Sequence, residues 1–435
     1  MCRILFTIIT IFSMVSVVPK ICNCGNKFSE KFKVDKIELT GNYKTKDYII
    51  LRELIIKEGD IVTPGEIERD RLRILNTRLF ERVQVRKKVV NGKNILEFQL
   101  TERLYVLPVP VLKINDKDWN KISYGGSLAH NNFRGRAEKI NATIWKGYNP
   151  GYILSFFNPW IAGNKKILLR ANLFNIKKRT KSILFNKYNE YRTGFYFGFG
   201  KRFGLYLWTN LSLGYEKISV SRKFKGGVFS KTGSDNFFNS YFEVIFDNRD
   251  LRKYPGKGWN NLFWISRTEY FNGNHNFFKF GFSISKFTRI KKGCIFAFNL
   301  FSTISSGKLP SYSREYFGYE RRIRGHYYSK LEGDNLWGGI LELRFPFGKL
   351  KYINWQGAPV FKKYFRNLEF GINGEIFADF GSTWSNSDRI FNVPIYKGFG
   401  AGINFRLPYD SFLRFDIAVN EKKNIEFLIL EGISF

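Results

Sequence analysis

Methionine, histidine and cysteine are scarce in this chain of 435 residues, which carries two, three and four of them. Each scarcity excludes something. His130, His275 and His326 stand far apart, and none has a metal-ligand partner at useful spacing, so neither a zinc centre nor histidine-based catalysis is expected. A nucleophile elbow, a phosphate-binding loop and a dinucleotide fingerprint are also missing, so the sequence predicts no enzyme and no cofactor. Cys2, Cys22 and Cys24 cluster at the start and Cys294 stands alone, which gives no disulfide framework. The apolar run from Ile4 to Val18 is too short to span a membrane as a helix. With Arg3 as its charged start it reads as a secretory signal, and residues 1–24 are assigned to it. Lipid attachment at Cys22 or Cys24 finds little support, because Pro19-Lys20-Ile21 is not a small-residue cleavage pattern.

Acidic residues are also in deficit, with 37 Asp and Glu against 71 Lys and Arg and a formal net charge of +34. Such a balance ordinarily points to nucleic acid. Here the cations are interleaved with aromatics, as in GFYFGFGKRFGLYLW (194–208), and form no single arm or helix face. Nucleic acid is therefore not the expected partner, whereas anionic lipid headgroups or glycolipid phosphates suit dispersed charge. What the chain has in abundance is Phe (46), Tyr (23), Trp (9) and Gly (39), which is not a helical composition.

Residues 32–103 read as a small α+β domain of order β-α-α-β-β. Ile37 and Leu39 alternate up to the turn Gly41-Asn42. Apolar residues recur at helical spacing from Tyr48 to Ile55, and Gly59-Asp60 stops that helix. Thr63, Pro64 and Glu66 form a capping box that opens a second helix. VQVRKKVV and NILEFQLTE flank Asn91-Gly92, a hairpin signal.

From residue 104 to 435 helical periodicity gives way to strand-length alternation. Leu205, Leu207, Leu211 and Leu213 share one face and Trp208, Asn210 and Ser212 the other. Ile372, Ile376 and Ala378 alternate with Asn373, Glu375 and Asp379. Apolar outside and polar inside is what lipid on one face and a watery lumen on the other require. A soluble sandwich would leave open edges. At about twenty residues per strand plus turn, the expectation is a closed membrane β-barrel of about sixteen antiparallel strands.

The small domain, with its markers Ile37 to Asn42, Leu79 to Val85 and Thr101-Glu102, resembles a POTRA domain. The rest resembles the barrel of the BamA/TamA/Sam outer-membrane insertase superfamily, the bacterial surface antigens. The motifs that carry this are HNNFRGRAEKI (130–140), FNPW (157–160), DNRDLRKYPGKGW (247–259), RRIRGHYY (321–328), FADFGSTW (377–384) and a terminal strand marked by Phe427, Ile433 and Phe435. The resemblance implies an outer-membrane barrel with its POTRA domain in the periplasm, acting on unfolded outer-membrane protein substrates, with possible accessory assembly proteins. It places an arginine loop inside the lumen, assigning Arg324 and Gly325 as its anchor, with His326 where the family usually has an aromatic. Strand parity independently turns Glu342 and Asp379 toward the lumen. The resemblance also implies a gate between the first strand, expected near Lys121 to Ala129, and the last, near Asn424 to Phe435. Asp247, Arg249, Asp250, Pro255 and Gly258 read as a strand-end turn rather than a metal site, since turns commonly use these residues. A two-partner-type secretion pore or a simple diffusion channel is the alternative function.

Overall fold

The computed structural model describes residues 30–435 except 116–119, 162–165, 185–187, 221–226, 272–274, 292, 355–365, 389–391 and 410. The signal segment and Cys2, Cys22 and Cys24 lie outside the described residues.

In the small domain, Lys36–Thr40 runs parallel to Lys93–Glu102, which pairs antiparallel with Phe80–Val90. Asn91 and Gly92 join the latter two strands with φ of 52° and 75°, the left-handed pair that a tight hairpin turn demands. The helix Pro64–Asn76 begins as its sequence dictates. Thr63 Oγ1 accepts from the Glu66 N–H at 3.3 Å, and Glu66 Oε2 accepts from the Thr63 N–H at 2.8 Å. Ile49, Ile50, Ile67, Ile74, Leu96 and Phe98 meet in one buried core. Two details differ from the sequence reading. A short pair, Phe32–Lys33 with Ile61–Val62, is added. The first helix spans only Asp47–Leu51, because the Ile55 and Ile56 N–H groups donate to Asp70 Oδ2 at 2.8 and 2.9 Å instead of continuing a helical ladder.

Downstream, seventeen segments close into one barrel. One of them, Lys351–Ile353, is a three-residue flank of Leu368–Trp384, which leaves sixteen wall strands. An even number of antiparallel strands returns the chain to the side it entered, so the small domain and the C-terminus share one mouth. The pleat sorts the side chains as the alternation predicts. Phe195, Phe197 and Phe199 are exposed on the outer face, while Asn210, Glu243, Asn373, Glu375 and Asp379 are buried within. Among the described residues no helix is long and apolar enough to cross a membrane.

The structure corrects both ends of the barrel. The first wall strand is Val106–Ile114, and Ile122–Phe133, where the first was expected, is the second. Pro108 and Pro110 mask the first strand in the sequence, because proline lacks the N–H that a ladder needs. The last strand is Ile425–Glu431 and ends before Ile433 and Phe435. Gly432, at φ 87°, turns the chain off the wall. Ile433 then packs with Tyr254, Ile295 and Phe412, and Phe435 stacks on Phe287 with ring centroids 5.6 Å apart.

Candidate functional site

Residues 308–334 connect the strands Cys294–Gly307 and Asn335–Pro346 and fold back into the lumen. Glu315–Phe317 pairs with Leu331–Gly333, giving this loop a hairpin of its own. Its flanks hold to the wall: Lys279 Nζ donates to Glu315 at 2.5 Å, and the Tyr312 hydroxyl to Asp235 at 2.7 Å.

At the tip, Arg324 is 4% exposed and meets four carboxylates carried by three wall strands. Its backbone N–H and Nε both donate to Asp379 Oδ2, at 3.0 and 2.8 Å, and Nη2 donates to Asp379 Oδ1 at 2.7 Å. Nη2 also reaches Glu342 at 2.9 Å, and Nη1 reaches Glu375 at 2.9 Å and Asp416 at 3.4 Å. The guanidinium lies 3.5 Å from the centroid of the Phe377 ring. A planar fork with fixed donors suits this arrangement, since each edge of the plane meets a carboxylate while a face meets an aromatic.

Gly325 has φ 91°, and its N–H donates to Glu426 of the last strand at 2.9 Å. The Gly325 carbonyl accepts from Asn420 Nδ2 at 3.0 Å. Across from it, a Cβ on Gly398 would run into the Arg324 carbonyl, so backbone meets backbone here. His326 Nε2 lies 2.7 Å from Glu421, and the ring stands edge-on to Tyr396.

The structure thus brings Arg324, Gly325, Glu342 and Asp379 together. It adds Glu375, Asp416, Glu426, Asn420 and Gly398, which the sequence reading does not assign to the anchor. Glu375 and Asp416 had a signal in the sequence. Each occupies a lumen-facing position next to outward apolar residues, Ile376 beside Glu375 and Phe415 and Ile417 on either side of Asp416. Asn420 and Glu426 had none, because their role depends on where the loop tip lands.

The strand-end turn also forms, and it does more than close a hairpin. Asp247 takes a forked contact from Arg249 at 2.8 and 3.0 Å and another from Arg252 at 2.8 Å. Asp250 Oδ1 accepts from the N–H groups of Leu251, Gly256 and Lys257. Pro255 is buried, and Gly258 has φ 117° with no room for a Cβ beside Asn248 and Arg249. Asn76, at the end of the domain's long helix, donates to the Asp250 carbonyl at 3.0 Å and accepts from the Arg252 N–H at 2.8 Å. The turn is therefore a seat for the small domain.

A second clasp joins Glu53 to Arg202 of the barrel by two bonds of 2.8 and 3.0 Å. Burial pushes the Glu53 carboxyl up, but Arg202, with Arg73 and Arg52 near it, outweighs this and holds it below the usual carboxylate range. Between the domain and the barrel mouth lies a cavity of about 1000 Å³, lined by Arg52, Arg69, Arg73, Arg170, Arg202 and Arg252 among others.

Neighbouring wall strands are joined by continuous antiparallel ladders, as between Asn189–Phe203 and Leu207–Val220. The barrel order also closes from Ile425–Glu431 to Val106–Ile114, but among the described residues no extended register joins these two. Phe427 on the last strand is 74% exposed, more than any other large apolar residue described in the wall.

Comparison with known proteins fits this anatomy. The pattern of the Omp85 superfamily domain matches residues 132–435, and that of the surface antigen variable number repeat, POTRA, matches residues 32–103. The outer membrane protein assembly factor BamA of Neorickettsia risticii is 30% identical over 121 residues, covering 27% of this chain and 16% of that protein. The BamA of Nitratidesulfovibrio vulgaris is 21% identical over 158 residues, covering 35% of this chain and 20% of that protein. The matched stretches thus span a fifth or less of these relatives. Among solved structures, BamA from Haemophilus ducreyi lacking POTRA domains 1–3 superposes with a TM-score of 0.54 at 16% identity, over 92% of this chain and 84% of that one. CdiB from Escherichia coli gives 0.56 at 12% identity, over 92% and 75%. These two likenesses concern the fold.

Proposed function

The chain belongs to the Omp85 superfamily, and from that premise we propose that it helps fold and insert β-barrel proteins into the outer membrane. As a member of that family it is an outer-membrane β-barrel with its POTRA domain in the periplasm. The observation that carries the proposal is the contrast between lumen and wall. The lumen is occupied by a loop pinned through Arg324 to Glu342, Glu375, Asp379 and Asp416. Among the described residues the wall closes between Val106–Ile114 and Ile425–Glu431 without an extended register. A plugged axis and a seam of this kind favour sideways release into lipid over passage through a pore. Lipid tolerates an open sheet edge poorly, so an opened seam would bind an incoming strand through backbone hydrogen bonds. Unfolded outer-membrane proteins are then the substrates, with accessory assembly proteins as further partners and the cationic surface facing anionic lipid.

The test is reconstitution. Vesicles containing the protein should speed the folding of a urea-unfolded outer-membrane barrel, and a disulfide placed across the seam should abolish that effect until it is reduced. Cysteines scanned from Val106 to Leu112 against one at Ile429, with Cys294 replaced, locate the bridging pair. Folding that proceeds undiminished with the seam locked, or steady ion conductance without any effect on folding, would sink the assembly reading. The second outcome would favour the diffusion channel.

A further inference from the structure

The cavity between the small domain and the barrel mouth carries more positive charge than its own carboxylates balance. Ten lysines and arginines line it against five aspartates and glutamates. Each of the five is already engaged. Glu53 takes Arg202 and Arg73, Asp247 takes Arg249 and Arg252, and Glu68 takes Arg71 at 2.7 Å. Glu243 accepts from the Tyr241 hydroxyl at 3.2 Å with Arg170 3.8 Å away, and Asp250 accepts from the backbone N–H groups of its own turn. Among the described residues, Arg69, Lys139 and Lys257 line the cavity, are exposed and make no ion pair.

Three of the sequence motifs meet at this cavity. HNNFRGRAEKI contributes Lys139, FNPW contributes Phe157 and Pro159, and DNRDLRKYPGKGW contributes Arg252 and Lys257. Trp160, which ends FNPW, carries two guanidiniums at its ring, Arg52 of the domain at 4.5 Å and Arg202 of the barrel at 5.6 Å from the centroid. A ring attracts a guanidinium without neutralising it. Arg52 Nε and Arg202 Nε are buried and have no hydrogen-bond acceptor among the described residues. Burial holds Arg52 below the usual arginine range, and Arg202 adds to this in spite of Glu53. Burial lowers Arg252 as well, with Arg249 and Arg202 adding to it in spite of Asp247. Cations that still repel one another after every carboxylate in the lining is engaged are stabilised by a further anion.

We infer that this cavity is a binding site for a phosphate-bearing anion, which bridges the domain and the barrel. Arg52 and Arg69 hold it from the domain, and Lys139, Arg202 and Lys257 from the barrel. The cations come from a helix on one side and from several wall segments on the other, so donors arrive from many directions. The oxygens of a phosphate spread tetrahedrally and accept from all of them, whereas a carboxylate offers only two oxygens in one plane. At about 1000 Å³ the cavity is larger than a bare phosphate needs and matches a small-molecule site. Leu72, Leu168, Leu205, Ile245 and Leu262 also line it, which suits an organic remainder such as a glycerol and the start of an acyl chain. A lipid headgroup and a soluble phosphate present the same oxygens to these guanidiniums and ammoniums.

The experiment uses the full chain in a nonionic detergent, with binding followed by titration calorimetry. The probes are inorganic pyrophosphate, dihexanoyl phosphatidylglycerol below its own micelle concentration, and tetraglutamate. The expected result is saturable binding of the two phosphate probes in competition with each other. Arg69→Gln and Lys139→Gln should each weaken it about tenfold, the scale of one hydrogen bond to a charged group. Neither side chain has an ion pair to break, so both variants should keep the heat-dependent gel migration of the parent protein. Lys423→Gln, in the exposed turn at the opposite mouth, should bind as the parent does. Tighter binding of pyrophosphate would support the site and identify its ligand as a soluble phosphate, and tighter binding of the lipid would support it with a headgroup as the ligand. No saturable binding at millimolar concentration, or equal affinity in all three variants, would overturn the inference. Tetraglutamate binding more tightly than both phosphate probes would overturn it in favour of an acidic polypeptide.

Discussion

At the scale of single residues, Arg324 gathers four carboxylates around one guanidinium. Arg324→Ala leaves them buried without that counter-charge, and breaking a buried pair typically costs about 3 to 5 kcal/mol. Arg344 and Arg414 also lie close, at 2.6 Å from Glu342 and 3.7 Å from Glu375, which places the effect at about 3 kcal/mol rather than above it. The expected outcome is a loop at 308–334 cut by added protease in a barrel that still migrates as folded. Arg324→Lys should restore protection only in part, since an ammonium cannot fork between Asp379 and Glu375. Arg321 reaches the Thr303 hydroxyl, and Arg322 bonds the backbone carbonyls of Tyr319 and Tyr327, so their alanine variants strand no buried carboxylate at the tip and should be milder. Equal protease sensitivity across the three alanine variants would refute the anchor. Glu53 supplies a prediction in pH. Its carboxyl titrates lower in the docked protein than when free, so the Glu53–Arg202 clasp is fully present above the free value near 4.5 and is lost as pH falls through the docked value. Proteolysis between domain and barrel should rise in that acid window, and Glu53→Gln should show the loosened state at neutral pH without the acid transition.

At the scale of elements, legibility in the sequence followed the range of the forces involved. The capping box at Thr63, the hairpin turn at Asn91-Gly92 and the alternation of Ile372 with Asn373 are fixed by neighbours a few residues away, and each was readable. Glu342 and Asp379 were readable for the same reason, since parity along one strand turns them inward. The first strand was not, because Pro108 and Pro110 break the usual strand pattern and are tolerated only at an edge whose position depends on the closure of the whole barrel. The ends of the last strand and the first helix were misplaced by similar non-local choices. Ile433 and Phe435 leave the wall to fill the periplasmic end of the lumen, and Asp70 captures the two N–H groups that would have extended the helix. Phe435 also sits 5.2 Å from the Arg344 guanidinium, beside the Glu342 that Arg324 uses. Phe435→Ala should therefore free the floor of the lumen and loosen the last strand's end, read as faster hydrogen exchange at 425–431 with the Arg324 loop still protected.

At the scale of the whole molecule, the small domain is built into the barrel mouth rather than tethered beside it. Asn76 bonds the turn at Asp250 and Arg252, Thr45 bonds Asn132 at 2.9 Å, and Glu53 bonds Arg202. Its sheet ends in Phe80–Val90, a strand paired on one side only, whose outer half from Arg86 to Val90 is exposed. An edge of this kind can receive an extended chain by strand addition, and the arginine-lined cavity lies between the same domain and the barrel. Placing the receiving edge and the seam on one rigid seat would raise the effective concentration of a captured chain at the seam. Deleting residues 32–103 should then leave a barrel that still forms, because its ladders and the Arg324 anchor lie wholly downstream, but that speeds substrate folding poorly at low substrate concentration. Raising the substrate concentration should recover most of the rate, since the lost contribution is capture and not the seam. A rate that stays low at saturating substrate would instead make the domain part of the opening step, and an undiminished rate at low substrate would remove its receptor role.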